Sequence, residues 1–347
     1  MQAYHDPGRS RARSQQPPGL NTTEPAMPTK KPTAPPGAPD IDPTAAPQVF
    51  DRALLARHRA RALARREPGA DFLLAHAVGD LADRLAIVTR SFPTAVDLGG
   101  HTGRLHEILR RMPGVERAIR VDVLTQDGMT PGADLVADDA LLPFADARLD
   151  LVVSALSLQF VNDLPGALIQ IRRALRPDGL FLAALLGGDT LQELKDVLMR
   201  AELDVTGGAA PRVAPFADTR ALGALLQRAG FALPVADVDR VTVRYGDFFS
   251  LLSDLRAMGA ANMLSERSRK PLTRATLMRA AELYAADHAD ADGRLRATFD
   301  IVSLSGWAPH ESQQKPLAPG SAKMRLSDAL GALDPQPDGS SGKSDAD

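Results

Sequence analysis

The sequence contains no cysteine. This absence excludes disulfide bonds, thiolate metal sites and cysteine nucleophiles. No apolar run reaches the roughly 18 residues of a membrane-spanning helix, and the N-terminal segment lacks the apolar stretch of a secretory signal. The chain also has no excess of positive charge, since its formal net charge is −2. A general nucleic-acid binder is therefore not expected.

Proline, in contrast, is abundant and concentrated at one end of the chain. Residues 1–47 hold 11 of the 27 prolines and almost no large apolar side chains. Such a segment cannot bury enough apolar surface to offset its ordering entropy, so it is predicted to be disordered, as is the tail 334–347. The ordered part is expected to be a single domain over residues 48–333.

Short apolar segments alternate with helical patterns after residue 93. Residues 149–156 are almost continuously apolar, as a strand covered on both faces requires. The alternation predicts an α/β fold with a mostly parallel sheet and helices on both faces. Strands are predicted at 95–98, 118–123, 135–137, 149–156, 180–186, 235–245 and 299–304, and helices at 52–66, 71–89, 103–112, 163–176, 189–204, 218–229, 247–259 and 272–289.

Candidate ligand-binding residues follow the first three strands, where open parallel sheets bind their ligands. The first turn, 97–103, reads DLGGHTG, and its glycines let a ligand approach the backbone at the start of a helix. Asp122 ends the second strand, where a carboxylate can accept hydrogen bonds from both ribose hydroxyls. Asp138 and Asp139 follow the third strand and suit an adenine amino group. Each residue alone also fits a tight turn, a solvated acid or a helix cap, but their order favours a nucleoside cofactor.

The glycine spacing distinguishes two such cofactors. The G-x-G-x-x-G pattern of NAD-binding domains fits no register of the turn, and the acid Asp97 before it favours S-adenosylmethionine (SAM). The order of motifs resembles the class I SAM methyltransferases, whose first motif is an acid followed by G-x-G-x-G. His101 replaces the middle glycine, and its ring is expected to crowd the methionine part of the cofactor. The predicted cofactor-binding residues are Asp97, Gly99, Gly100, His101, Gly103, Asp122, Asp138, Asp139 and Ser157.

A narrower resemblance covers residues 50 to about 330. It rests on the segments DLVVSALSLQFVNDLPGAL (150–168), RPDGLF (176–181), GGDTLQEL (187–194), HESQ (310–313) and PGSA (319–322). They resemble the SAM-methyltransferase-fold assembly factors of respiratory complex I, of the arginine-hydroxylase type, and their bacterial relatives. The resemblance implies a Rossmann-like class I SAM methyltransferase fold with a seven-stranded sheet, a core at about 93–245, a helical lid before it, and C-terminal helices and a last strand at 246–310. The helices after residue 246 are expected to form an insertion over the carboxyl edge of the sheet.

The same resemblance implies a protein that uses SAM and hydroxylates an arginine in a complex I subunit. Where the family has His-Trp after Leu158, this chain has Gln159 and Phe160, which removes a general base and keeps an apolar wall. A non-haem iron site would need two histidines and a carboxylate, and the seven histidines are spread along the chain, so no metal site is predicted.

Three acids are candidates for bidentate pairing with a substrate arginine, namely Asp163, Asp189 and Glu311. Asp189 also fits a capping box with Gln192, and Glu311 lies in a segment that suits either a substrate loop or a structural anchor. The candidates for a catalytic role are Gln159, Asp189 and Glu311.

The expected partner is a protein substrate and not a nucleic acid, and the oligomeric state is not predicted. The arginine-rich helix 52–66 fits a solvated face, a lid over the cofactor, or a contact with an anionic membrane or partner. Two other functions stay open: methylation of a small molecule or an acyl-carrier-protein thioester, as in biotin synthesis, and chaperoning without catalysis. The expected location is the bacterial cytoplasm, at the inner face of the inner membrane, with the mitochondrial matrix as the alternative.

Overall fold

The computed structural model describes residues 48–124 and 133–314. The proline-rich extension, the C-terminal tail and the PGSA segment lie outside the described residues, so the predictions made for them stay predictions. All structural statements below concern the described ranges.

Seven strands form one mixed sheet with the order β3-β2-β1-β4-β5-β7-β6. Strands β1 to β5 are parallel, whereas β7 lies antiparallel between β5 and β6. This topology confirms the predicted α/β class. The strands are β1 (Thr94–Leu98), β2 (Arg117–Asp122), β3 (Leu135–Val136), β4 (Leu149–Ala155), β5 (Leu175–Leu186), β6 (Ala232–Tyr245) and β7 (Leu295–Trp307).

Eight α-helices accompany the sheet, each close to a predicted position. They are α1 (Arg52–Arg65), α2 (Phe72–Ala86), α3 (Arg104–Arg111), α4 (Leu164–Ala174), α5 (Gln192–Thr206), α6 (Thr219–Ala229), α7 (Phe248–Ala257) and α8 (Arg274–His288). None of them is long and apolar enough to cross a bilayer.

The core has two layers, one on each face of the sheet. In β5, Leu180, Leu182 and Ala184 belong to a cluster with α2, α5, α7 and α8, whereas Phe181 and Ala183 belong to a second cluster with α4 and α6. Successive side chains of a strand point to opposite faces, so a strand between two helical layers needs apolar residues at every position. This requirement explains the unbroken apolar run of β5 and the similar run of β4.

Several boundaries differ from the prediction; β7, for example, spans Leu295–Trp307 and not 299–304. The turn expected at 177–179 lies within β5, where pairing with β4 is irregular between Leu149 and Leu151 and Asp178 has a φ of +67°. Helix α5 begins at Gln192 after a left-handed Leu191 (φ +56°), with no side-chain cap. The predicted capping box is therefore wrong, because the Asp189 carboxylate bonds instead to Arg240 (2.5 Å).

Candidate cofactor site

The turn after β1 brings the chain back over the carboxyl edge of the sheet. Gly99 (φ +76°) and Gly103 (φ +80°) adopt left-handed backbone conformations, and the N–H groups of Gly99 and Gly100 donate to the Val121 carbonyl at 2.8 and 3.0 Å. A Cβ atom added to Gly99 would lie 2.1 Å from Ser157 Oγ. Glycine is therefore required at this position by both conformation and space.

Asp122 organises this turn from the end of β2. Its Oδ2 accepts from the His101 N–H at 2.8 Å, and its Oδ1 accepts from the Leu124 N–H at 2.9 Å. The residue is only 1% exposed. A carboxylate has about four acceptor positions, so Asp122 can hold the turn and still accept from two hydroxyl groups.

The acids after β3 lie beside the end of β4. Asp139 Oδ2 accepts from Ser157 Oγ at 2.7 Å, and Asp138 Oδ1 accepts from the Ala140 N–H at 2.9 Å. Ser157 is the residue that a side chain on Gly99 would meet. The structure thus brings the predicted residues Gly99, Asp122, Asp138, Asp139 and Ser157 together at one edge.

Two arginines of α1 cover these acids. Arg52 Nη2 donates to Asp138 Oδ1 at 2.9 Å and pairs with Asp139, while its Nη1 donates to the Phe160 carbonyl at 3.1 Å. Arg59, only 4% exposed, donates through Nη2 to Ser157 Oγ at 3.2 Å. Arg52 and Arg59 therefore face the acids of the sheet edge, whereas Arg57, Arg61 and Arg65 are exposed as a solvated face. The interpretation of this helix as a lid over a cofactor stays a prediction.

The start of α1 is fixed by the residues around Phe50. The Phe50 ring packs edge-on against Phe160 with centroids 5.7 Å apart, and its N–H donates to Asn162 Oδ1 at 2.8 Å. Asp51 caps the helix by accepting from the Leu54 N–H at 2.9 Å. These contacts join α1 to the loop after β4, which carries Gln159 and Phe160.

A cavity of about 880 Å³ lies under α1 and the loop that follows it. Ligand sites commonly measure 300–1,000 Å³. Its wall includes the last residues of α7 (Ala257) and the turn after it, so the predicted helical insertion does lie over the carboxyl edge. Of the predicted cofactor residues only His101 lines the cavity directly, because Arg59 and Arg52 lie between it and the acids.

His101 replaces a glycine of the family motif but fits the turn. Its φ of +21° lies at the border of the left-handed region, and its backbone carbonyl accepts from the guanidinium of Arg120. Burial and the nearby charge of Arg59 lower the pKa of His101 to about 3. The ring is therefore neutral at physiological pH, and its buried Nε2 has no partner among the described residues.

Gln159 and Phe160 form the wall of the cavity at the end of β4. The side-chain amide oxygen of Gln159, Oε1, is buried without a hydrogen-bond partner in the described structure. Phe160 is buried and also lines a second, apolar cavity of about 400 Å³. Leu73, Phe160, Leu186, Met258 and Ala260 line both cavities, which are therefore neighbours.

The three acids predicted to meet a substrate arginine do not line the main cavity, so the structure gives those predictions no support. Asp163 caps α4 by accepting from the Gly166 N–H at 2.9 Å, and the exposed Asp189 pairs with Arg240. Glu311 lies at the opposite edge of the sheet. The antiparallel β7 ends at Trp307, opposite Leu180 near the start of β5, so whatever follows it lies away from the carboxyl ends.

The HESQ segment is a structural anchor at that far edge. His310 Nδ1 shares a hydrogen bond with Ser312 Oγ at 2.7 Å, and Gln313 donates to Asp178 Oδ1 at 3.0 Å. These contacts fasten the chain after β7 to the start of β5. Of the two interpretations of this segment, these contacts favour the structural anchor.

Two acids that were not predicted from the sequence line the cavity. They are Glu67 and Asp71, in the loop between α1 and α2. Asp71 pairs with Arg104 at 2.6 Å, while Glu67 is exposed. Among the described residues no group of three or more histidine or carboxylate side chains could hold a metal ion.

The stability of the protein is expected to depend on pH because Asp97 is buried. The residue is 1% exposed, and burial raises its pKa from 3.8 to about 7, against the opposing charge of Arg120. An acid whose pKa is raised by folding retains its proton in the folded state, so the free energy of unfolding falls as pH rises from about 4 to 7 and stays lower above 7. That shift corresponds to roughly 4 kcal/mol.

The Asp97→Asn variant should lack this part of the pH dependence. Chemical denaturation at pH 4.5 and 8 should show that the wild-type protein loses about 2–4 kcal/mol more than the variant over this interval. The other carboxylates titrate in both proteins, so the difference isolates Asp97. Parallel pH profiles for the two proteins would contradict the assignment.

The chain is similar to several known proteins. The family described as "Methyltransferase domain" matches residues 96–183, which include the turn and the acids Asp97, Asp122, Asp138 and Asp139. The mitochondrial arginine-hydroxylase NDUFAF5 of Danio rerio is 38% identical over 287 residues, covering 81% of this chain and 89% of that protein. A malonyl-[acyl-carrier protein] O-methyltransferase of Laribacter hongkongensis is 33% identical over 288 residues, covering 78% and 91%. A solved phosphoethanolamine N-methyltransferase of Haemonchus contortus, in complex with S-adenosyl-L-methionine, has 14% identity and a TM-score of 0.39, covering 66% of this chain and 52% of that one.

Proposed function

We propose, on the premise that this chain belongs to the family of the arginine-hydroxylase NDUFAF5 within the class I methyltransferases, that it binds SAM and hydroxylates an arginine in a subunit of respiratory complex I. The inserted oxygen atom and the two-electron oxidation require an external oxidant, molecular oxygen together with a reductant, which this chain does not itself supply. One observation carries the arginine specificity. Gln159 lines the cavity, and its buried side-chain oxygen Oε1 has no hydrogen-bond partner among the described residues. A guanidinium N–H is a suitable donor to this oxygen. The protein would then act where complex I is assembled, which agrees with the mitochondrial location in the relative's name.

The residues at the carboxyl edge fit SAM. Asp122 would hold the ribose hydroxyls, Asp138 and Asp139 would accept from adenine, and the unpartnered Asp97 Oδ2 lies beneath the turn, where a Cβ on Gly100 would be only 2.6 Å away. When bound, SAM supplies a sulfonium with an electrophilic methyl group and a fixed positive charge. The family, the turn and the acids all support SAM as the cofactor.

The protein's own groups define how a substrate guanidinium would bind. Gln159 is a neutral amide, so it can accept an N–H hydrogen bond but cannot remove a proton at neutral pH. Phe160 and Leu186 give this part of the cavity an apolar wall that excludes water. Glu67 and Asp71, at the loop side, offer carboxylates to an approaching cation.

Mass spectrometry of complex I tests the proposal. Deleting the gene and isolating the complex should remove a mass increase of one oxygen atom from a subunit arginine, and the wild-type gene should restore it. An Asp122→Ala gene should fail to restore it, while Asp163→Ala, whose carboxylate only caps α4, should succeed. Arginine masses that are identical with and without the gene would exclude this function.

A second candidate rests on the apolar cavity next to the cofactor site. Its leucine-rich wall suits an acyl chain, and the O-methyltransferase relative acts on a malonyl-[acyl-carrier protein]. This function predicts that the gene restores biotin-free growth to a strain lacking such a methyltransferase. Growth without biotin, together with unchanged complex I arginines, would favour this candidate over the first.

A further inference from the structure

Arg59 is a buried cation held by weak contacts. Nη2 lies 3.2 Å from Ser157 Oγ and 3.5 Å from the Leu156 carbonyl, and Nη1 lies 3.9 Å from Asp122 Oδ2. The last distance is too long for a hydrogen bond. Arg52, in contrast, makes a short ion pair with Asp138. Arg59 thus lacks the close carboxylate that a buried charge normally requires.

The spare donors of Arg59 lie beside the main cavity. A guanidinium has five N–H donors, and the hydrogen bonds to other described side chains and carbonyls use Nη2 alone. Arg59 also lines the 880 Å³ cavity together with His101 and Thr102. The unused Nε and Nη1 donors are therefore available to an anion that enters this space.

SAM brings one such anion. The molecule has hydroxyl and amino donors and two cationic groups, for which the acids of the sheet edge provide acceptors. It also has one carboxylate, which needs a cation. Arg66 also lines the cavity, but it lies exposed after the last residue of α1, and Arg52 is already paired.

We propose that Arg59 binds the carboxylate of SAM, in a paired geometry that replaces its weak contacts with Asp122 and Ser157. The proposal rests on the proposed function only in taking SAM as the ligand. Arginine matches a carboxylate with two parallel N–H···O bonds, a geometry that lysine cannot provide. When Arg59 turns toward the SAM carboxylate, the ribose hydroxyls donate to the Asp122 oxygen that faced Arg59. The Arg59 guanidinium and the Asp122 carboxylate then each have a partner.

The exchange requires only the side chain of Arg59 to move. Arg59 lies near the middle of α1, and the helix packs closely on the turn after α7, where a Cβ on Gly259 would be 3.2 Å from Arg59 Cα. The guanidinium can therefore move while its Cα stays fixed. Burial lowers the pKa of Arg59, partly opposed by Asp122 and Asp139, which agrees with a cation that lacks a full partner.

Titration calorimetry with two ligands tests this role. SAM and decarboxylated SAM share the adenosine, the sulfonium and the amine and differ only in the carboxylate. The wild-type protein should bind SAM about 10- to 150-fold more tightly, as expected of charge-assisted hydrogen bonds. Arg59→Gln should reduce this ratio to about one by weakening SAM alone, and Arg59→Lys should restore only part of it.

The controls separate the outcomes. Binding of decarboxylated SAM shows that the Arg59→Gln variant is folded, and Arg66→Gln, which removes the other arginine next to the cavity, should keep the wild-type ratio. An unchanged ratio in Arg59→Gln, or tighter binding of both ligands, would overturn the proposal; the second result would identify Arg59 as a competitor of the cofactor. Failure of the wild-type protein to bind either ligand would instead overturn the proposed function, and this inference with it.

Discussion

Replacing Gly99 with alanine should cost about 2–5 kcal/mol of folding free energy and abolish SAM binding. A non-glycine residue at a φ of +76° costs roughly 1–2 kcal/mol. The new methyl group would also lie 2.1 Å from Ser157 Oγ and 2.3 Å from Ser157 Cβ, so Ser157 must leave its bond to Asp139. Overpacking of this kind typically adds 1–3 kcal/mol.

Gly69 and Gly207 provide matched controls for the backbone strain. Both have positive φ values, +78° and +74°, but an added Cβ meets nothing within 4 Å at either position. Their alanine variants should lose only about 1–2 kcal/mol and bind SAM normally. Denaturant unfolding combined with calorimetry measures both effects. A Gly99→Ala protein that resembles the two controls would show that the turn does not need the close contact with Ser157.

The cofactor turn and the acids could be predicted because topology alone brings them together. Parallel strands with helical crossovers place every carboxyl end at one edge, so Asp97, Asp122 and Asp138 converge whatever the details of packing. Glu311 illustrates the limit of this argument. It follows a strand as well, but β7 is antiparallel to β5, so Glu311 lies at the other end of the sheet. The apolar pattern of a strand does not indicate its direction in the sheet.

The inward-facing arginines of α1 could not be predicted, for a different reason. A helix with several arginines gives no direct sign of which ones face inward, and charge usually indicates a solvated face. One signal was present, since Arg59 falls in the same stripe as the buried Leu55 and Ala62, at spacings of four and three residues. A charged residue within an apolar stripe could have marked Arg59 as a site residue. The rim acids Glu67 and Asp71 carry no such signal, because loop conformation decides where they point.

Replacing Asp122 with alanine should strongly weaken binding of the cofactor. The wild-type carboxylate would accept two ribose hydroxyl bonds, and hydrogen bonds to charged groups contribute about 1.5–3 kcal/mol each. The variant should therefore bind SAM at least about 100-fold more weakly. It also leaves the His101 and Leu124 N–H groups without their acceptor, so the turn itself is less well ordered before any ligand binds.

A thermal-shift experiment separates these two effects. SAM at 100 times its dissociation constant should stabilise the wild-type protein by about 2.7 kcal/mol, and the same concentration should leave Asp122→Ala almost unshifted. Asp163→Ala serves as the control, because it also removes a carboxylate that accepts a backbone N–H, from Gly166 at the start of α4. That variant should lose about 1 kcal/mol of stability and keep the full SAM shift. A full shift in Asp122→Ala would mean that the acid only supports the turn, and the ribose would then have to be held from elsewhere on this edge.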